Sequence, residues 1–271
     1  MHPIEKAWNA MPGAKKGIYA FDLTPENMCD LPCCGLKNPE HAGLQGKLKW
    51  LDANLRRGVK IKVALTENNT QLGYVEYLPS EHAWRGVEAY GYTFIHCVWT
   101  HWKEYQNRGL GGLLIEACVA EARKERNNGV AVACRERPWL ANSSLFLKHG
   151  FEIVDTAPPD YELLVKKFRK SAPDPRFKGN WEKRLGKYGE GLTIIYSNQC
   201  PHSVKFGADI AEAAREDFGL EPRMVEIKTY RDAQRAPTPY AVFAVIYNGR
   251  LVVDYQVNKS KFVKLMRSAL E

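Results

Sequence analysis

The stretch Gln106-Asn107-Arg108-Gly109-Leu110-Gly111-Gly112 constrains this chain more than any other part of it. Before it lies a strand-like run at 94–100 (FIHCVWT). After it, residues 109–126 place Leu110, Leu113, Leu114, Ala117 and Cys118 on one helical face. Glycines at a strand-to-helix junction let successive backbone N–H groups approach an anion closely. The helix N-terminus adds a partial positive charge suited to a pyrophosphate, and Arg108 offers a full one. The other reading of the same glycines is a tight turn that opens a helix, so the neighbouring elements have to decide.

Those neighbours alternate between strand and helix signals. Residues 44–55 (LQGKLKWLDANL) carry leucines at 44, 48, 51 and 55, a helical spacing closed by Gly58. Strand-like runs follow at 59–66 and 71–77, joined by a turn at Glu67-Asn68-Asn69-Thr70. After the helix at 109–126 come a buried strand at 129–134, a helix at 141–149 ended by Gly150, and strands at 151–155 and 161–168. The pattern then gives way to RKSAPDPRFKGNWEKRLGKYGEG, where prolines, glycines and charge mark a domain boundary. Beyond it the order is strand (192–197), helix (201–218), strands (223–227 and 240–247), the turn Asn248-Gly249, strand (251–255) and helix (260–270). The expected division is a first domain at 1–170, a basic connector at 171–190 and a smaller α/β domain at 191–271, which suits a chain of 271 residues.

Composition narrows the function classes. The chain is 45% hydrophobic and 26% charged, ordinary for a soluble globular protein. No apolar run approaches the ~20 residues that span a bilayer, and MHPIEKAWNAMPGAKK lacks the apolar core of a secretory signal. A cytoplasmic protein without a membrane partner is expected. The seven cysteines (Cys29, Cys33, Cys34, Cys97, Cys118, Cys134 and Cys200) are odd in number and scattered, which fits reduced thiols. The net charge is +8, and nine Lys or Arg against four acids between Tyr161 and Glu190 account for five of it. No aromatic-rich base-reading motif accompanies that stretch, so it reads as a solvated connector and nucleic acid is not an expected partner.

Strand, QNRGLGG, amphipathic helix, short strand, then Asn142-Ser143-Ser144 and Lys148-His149-Gly150-Phe151 together resemble the GNAT acetyltransferases over residues 18–168. The resemblance implies a mixed α/β fold with a central, mostly antiparallel sheet. It also implies acetyl-CoA or another acyl-CoA as co-substrate, held by Gln106, Asn107, Arg108, Gly109, Leu110, Gly111 and Gly112. Asn142 would meet the pantetheine arm, and the backbone of Val98, Trp99 and Thr100 would polarise the thioester carbonyl. The segments GYTFIHCVW and FEIVDTAPPDYELLVKKF, with Cys29, Cys33 and Cys34, are similar to the YoaP-type branch, in which a GNAT domain precedes a small C-terminal domain. The implied reaction is transfer of the acyl group to an amine of a small molecule or peptide.

Amine acylation needs a general base. Glu76, Glu88, His96 and His101 are candidates near the expected cleft, each equally compatible with a structural role. The family's usual acid for the leaving thiolate is a tyrosine four residues before the glycine of the K-x-G-F segment. Here Phe146 stands in that place, so another group, a water or Cys97 must serve. Cys97, mid-strand beside the presumed thioester, has as its alternative a small buried hydrophobe. The cluster Cys29-x-x-x-Cys33-Cys34, with His41 after it, lacks the paired spacing of a structural zinc site, and no metal ligands are assigned.

In the C-terminal domain, a strand leads into Asn198-Gln199-Cys200-Pro201-His202-Ser203 and a helix, which resembles a thioredoxin-like fold. Cys200 at a helix N-terminus is expected to have a lowered pKa. Pro239 matches the position of that fold's cis-proline. Ser203 stands where a resolving cysteine would be, which excludes disulfide exchange within the motif. A thiol-based redox or thiophilic-metal role, using Cys200 and the N-terminal cysteines, is the alternative to acyl transfer.

Overall fold

The computed structural model describes residues 18–24, 34, 36, 38, 40–66, 68, 70–100, 109–136 and 138–270. In chain order these form β1 (Ile18–Asp22), α1 (Ala42–Leu55), β2 (Lys60–Thr66), β3 (Gln71–Pro79), β4 (Val87–Glu88), β5 (Thr93–Thr100), α2 (Leu110–Lys124), β6 (Gly129–Cys134), α3 (Ser143–Leu147), β7 (Glu152–Ala157) and β8 (Tyr161–Lys167). There follow β9 (Arg176–Phe177), α4 (Trp181–Gly186), β10 (Leu192–Tyr196), α5 (His202–Phe218), β11 (Arg223–Glu226), α6 (Tyr230–Gln234), β12 (Phe243–Tyr247), β13 (Arg250–Val253) and α7 (Lys259–Leu270). The chain divides into two compact units, one drawn from 1–37, 52–81 and 88–176, the other from 38–51, 82–87 and 177–271. No helix among the described residues is long and apolar enough to cross a membrane.

In the first unit seven strands form one mixed α/β sheet in the order β1-β2-β3-β5-β6-β8-β7. Every pairing is antiparallel except β5 with β6. Parallel neighbours need a crossover connection, and α2 supplies it. Its apolar stripe, Leu110, Leu114, Ile115 and Cys118, buries against Val75, Tyr77, Ile95, Val132 and Leu164. Polar groups pin the same helix: Glu121 accepts hydrogen bonds from Lys60 of β2 at 2.5 Å and from Tyr77 of β3 at 2.8 Å, and pairs with Lys62 at 2.7 Å.

The second unit has a four-stranded sheet in the order β11-β10-β12-β13. β10 and β11 run parallel, joined through α5, while β12 pairs antiparallel with both β10 and β13. The Asn248-Gly249 turn between β12 and β13 has both residues at positive φ, 48° and 72°, as a tight hairpin of the primed kind requires. Gly43 and Gly46, which cost a helix interior about 1 kcal/mol each relative to alanine, have a packing reason. A Cβ at Gly43 would lie 1.9 Å from the Pro201 carbonyl oxygen, and one at Gly46 2.2 Å from Asn198 Oδ1. This face of α1 therefore packs directly on the turn that carries Cys200.

Several expectations are revised. The span at 169–191 holds β9 and α4 rather than featureless chain. Helix α6 was not apparent from periodicity; a capping box sets it, with Thr229 accepting from Asp232 N–H and Asp232 accepting in return. Pro239 does not carry the expected cis bond: among the described residues the cis peptide is Pro158-Pro159. In this segment the Thr238 hydroxyl accepts from Ala241 N–H at 3.2 Å, and Ala241 stands at φ 66°.

Candidate acyl-transfer site

Among its described residues, the sheet of the first unit opens where β5 leaves β6. β5 pairs with β6 only over Thr93–Ile95, ending at Ile95↔Val132. β5 then continues to Thr100, keeping its antiparallel ladder with β3 as far as Gly73↔Thr100. From His96 onward, no described strand continues the ladder on the β6 side of β5. Its backbone groups there can pair with an extended ligand as a sheet edge pairs with a strand. Val98, Trp99 and Thr100 lie on this stretch, each partly exposed.

At the end of that edge α2 begins. Gly109 precedes it in the left-handed region at φ 80° and supplies no side-chain cap. The first N–H groups of the helix, on Leu110, Gly111 and Gly112, lack intrahelical acceptors by geometry and carry the positive end of the dipole. A Cβ at Gly111 would only touch Leu145 and Thr100, at 3.6 and 4.0 Å. One at Gly112 would lie 2.4 Å from His149 Nε2. The histidine of the K-H-G-F segment thus packs on the first turn of α2, with its Nδ1 3.1 Å from Glu116 Oε1. The Leu110 side chain is core. Gln106, Asn107, Arg108 and His101 lie outside the described residues.

The β3–β5 register shifts between Glu76 and Tyr77: Glu76 faces Cys97, and Tyr77 faces Ile95. His96 is the extra residue of this bulge, a device that re-aims side chains. It brings His96 Nδ1 to 3.0 Å from Glu76 Oε1, both side chains at most 1% exposed. Beside them the Tyr74 hydroxyl lies 3.4 Å from Cys97 Sγ and 2.6 Å from Cys34 Sγ. The Tyr74 ring contacts that of Trp99, 5.9 Å between centroids. Burial, reinforced by Cys34, Cys97 and Glu76, holds the Tyr74 phenol well above its ordinary value. Glu76, His96 and Cys97 were candidates from sequence, and the bulge brings them together. Tyr74 was missed, although the period of two in a strand puts it on the face of Glu76.

The remaining candidates stand elsewhere. Glu88 on β4 is exposed, its carboxylate accepting from Arg176 at 2.7 Å. Asn142 caps α3, its Oδ1 accepting from Ser144 N–H at 2.8 Å. Phe146 is fully buried, edge-on to Phe151 at 5.3 Å. His41 Nδ1 accepts from Gly43 N–H at 3.1 Å at the start of α1. Cys29 and Cys33 lie outside the described residues. Among those described, no group of three or more His, Cys, Asp or Glu could hold a metal ion.

Cys200 belongs to the second unit, just before α5. Gln256 Nε2 lies 3.4 Å from its Sγ and donates to Ser203 Oγ at 2.9 Å. Lys47 donates to the Gln199 carbonyl at 2.7 Å, and Arg85 to Gln199 Oε1 at 3.4 Å. The expected lowering of its pKa is overturned. Burial pushes the Cys200 thiol up, outweighing the His202 N–H, Lys47, Ser203 and Arg85, which act the other way.

The first unit thus combines an open strand edge, a helix that starts after Gly109 and a buried carboxylate–imidazole pair at the bulge. The acetyltransferase (GNAT) family model matches residues 26–151. Over 121 residues the chain is 31% identical to an L-methionine sulfoximine/L-methionine sulfone acetyltransferase of Pseudomonas paraeruginosa, covering 45% of this chain and 67% of that protein. The chain belongs to the GNAT acetyltransferase family. This GNAT protein is also 29% identical over 253 residues to a Bacillus subtilis protein named as the uncharacterized N-acetyltransferase YoaP, across 92% of this chain and 98% of the relative. The YoaP-like family model matches residues 223–264, in the second unit. Among solved structures, the acetyltransferase yncA of Salmonella typhimurium, solved with acetyl-CoA, is 18% identical with a TM-score of 0.43, covering 59% of this chain and 99% of that one.

Proposed function

We propose that the acyl group of the co-substrate sits at the β5 bulge and that the Glu76–His96 pair takes the proton from the attacking amine. As a GNAT enzyme the protein transfers an acetyl group from acyl-CoA to an amine. One observation carries the finer reading: β5 leaves β6 at Ile95, and the very next residue is His96, bonded to Glu76. A carboxylate on Nδ1 holds that proton in place and makes Nε2 the basic nitrogen. The opened edge at Val98–Thr100 would hold the pantetheine arm, and the N–H groups of Gly109, Leu110, Gly111 and Gly112 the pyrophosphate. In this reading the residues 106–108 complete the anion site and Asn142 borders it.

The acceptor in this reading is the amine of an amino-acid-like molecule, supported by two relatives named for L-methionine sulfoximine and L-methionine sulfone. Cytoplasmic placement goes with it, supported by Cys34, Cys97, Cys118, Cys134 and Cys200, none of them in a disulfide. For the second unit we keep a thioredoxin-like arrangement, supported by the strand order β11-β10-β12-β13, with a parallel pair (β11 and β10) at one edge and antiparallel pairing beyond it. With Ser203 in place of a second thiol and the Cys200 thiol pushed up, this unit serves binding rather than redox chemistry.

The test is CoA release from acetyl-CoA with L-methionine sulfone as acceptor, alongside calorimetric binding of acetyl-CoA. Wild type should bind and turn over. His96→Gln and Glu76→Gln should lose about 10²-fold or more in kcat, the usual worth of a general base, and bind acetyl-CoA as before. Full turnover by His96→Gln would remove the base assignment; no acetyl-CoA binding by wild type would remove the cofactor site.

A further inference from the structure

Acyl transfer moves two protons. One leaves the amine; the other must reach the sulfur, because a thiolate is expelled as the C–S bond breaks. Phe146 has no proton to give and is fully buried beside Phe151. The bulge does hold a continuous row of exchangeable hydrogens. Cys34 Sγ, the Tyr74 hydroxyl and Cys97 Sγ follow one another at 2.6 and 3.4 Å. The inner end, Cys97, is on the opened part of β5 directly after His96. The outer end, Cys34, is only partly buried.

We propose that Cys34, Tyr74 and Cys97 form a proton relay that delivers a hydrogen to the sulfur of the departing CoA. This rests on the reading that the acyl group sits at the β5 bulge. In the step, the amine nitrogen forms the C–N bond and the electrons of the C–S bond pass to sulfur. The Cys97 thiol proton moves to that sulfur, the Tyr74 proton to Cys97, and the Cys34 proton to Tyr74. Solvent re-protonates Cys34, and the proton taken by His96 returns to solvent, so one thioester and one amine give one amide and one thiol. Because the shifts are concerted, no tyrosinate forms. That matters, since burial together with Cys34, Cys97 and Glu76, the groups facing the phenol, strongly disfavours its ionised form.

The relay requires one oxygen on Tyr74 and any hydrogen-carrying atom at position 97. Tyr74→Phe removes only that oxygen. It should lower kcat about 10²-fold, leave KM for acetyl-CoA within about twofold, and melt within a few degrees of wild type. Cys97→Ser keeps a hydrogen-carrying atom and should retain most of kcat, while Cys97→Ala should match Tyr74→Phe. Equal rates for wild type and Tyr74→Phe, or for Cys97→Ser and Cys97→Ala, would overturn the relay.

An acceptor-independent measurement separates this from failure of the site reading. A relay that donates to sulfur stabilises the thiolate of bound CoA, so thiolate absorbance of the enzyme–CoA complex should titrate at higher pH in Tyr74→Phe than in wild type. Unchanged titration with CoA still bound overturns the relay alone. Absence of CoA binding overturns the site reading, and the relay with it.

Discussion

Removing the charge of Glu121 should cost stability in a pH-dependent way. Burial alone would raise this carboxyl. Hydrogen bonds from Lys60, Lys62 and Tyr77, with the Lys62 charge, overcome that and bring it from the ordinary 4.5 to about 2. At ~1.36 kcal/mol per pH unit the gap corresponds to about 3 kcal/mol. The side chain keeps 22% exposure, and solvent screening reduces the expected contribution to about 2 kcal/mol. The folded value is depressed, so this stabilisation is complete above the unfolded value of 4.5 and disappears as pH falls to about 2. Glu121→Gln should therefore unfold about 2 kcal/mol more easily in urea at pH 7, and the two curves should converge by about pH 2. Equal stabilities at pH 7, or a difference constant from pH 7 to pH 3, would refute the assignment. The site should feel the loss as well, because Glu121 fastens to β2 and β3 the helix whose first turn is the proposed anion site.

Other expectations follow from single contacts. Gly73→Ala would set a Cβ 2.4 Å from the Trp99 carbonyl oxygen. Forcing β3 from β5 should cost about 1–3 kcal/mol and weaken acetyl-CoA binding by calorimetry; unchanged affinity would detach the register from the site. Gly109→Ala meets no atom within 4 Å, so its penalty is the left-handed backbone alone, about 1–2 kcal/mol. Gly109→Asn should lose less by thermal melting, and equal losses would argue against a backbone origin. Phe146→Ala should destabilise by about 3–5 kcal/mol in urea, since Phe146 is fully buried; a cost below about 1 kcal/mol would contradict its place in the core.

Local signals were legible wherever a side-chain period or a special backbone residue set them. The buried strand at Gly129–Cys134, α1 and α2 follow from apolar spacing, within a residue or two at their ends. Helix α6 was hidden because five residues give no period to read; only Thr229 with Asp232 marked it. The pairing of β5 with β6 over just three residues depends on how two strands separated by a whole helix diverge. No spacing in the sequence encodes that divergence.

The sequence by itself determined the glycine-led junction at Gly109–Gly112, the strand before it and the helix after it, because φ freedom and helical period are properties of neighbouring residues. It also marked Glu76, His96 and Cys97 without ranking them. Tertiary structure decided which of them meet. A one-residue bulge puts His96 on Glu76, and Cys34, forty positions from Tyr74, reaches its hydroxyl. It also reversed the expected acidity of Cys200, because desolvation depends on everything packed around a thiol and outweighed the local pull of a helix N-terminus.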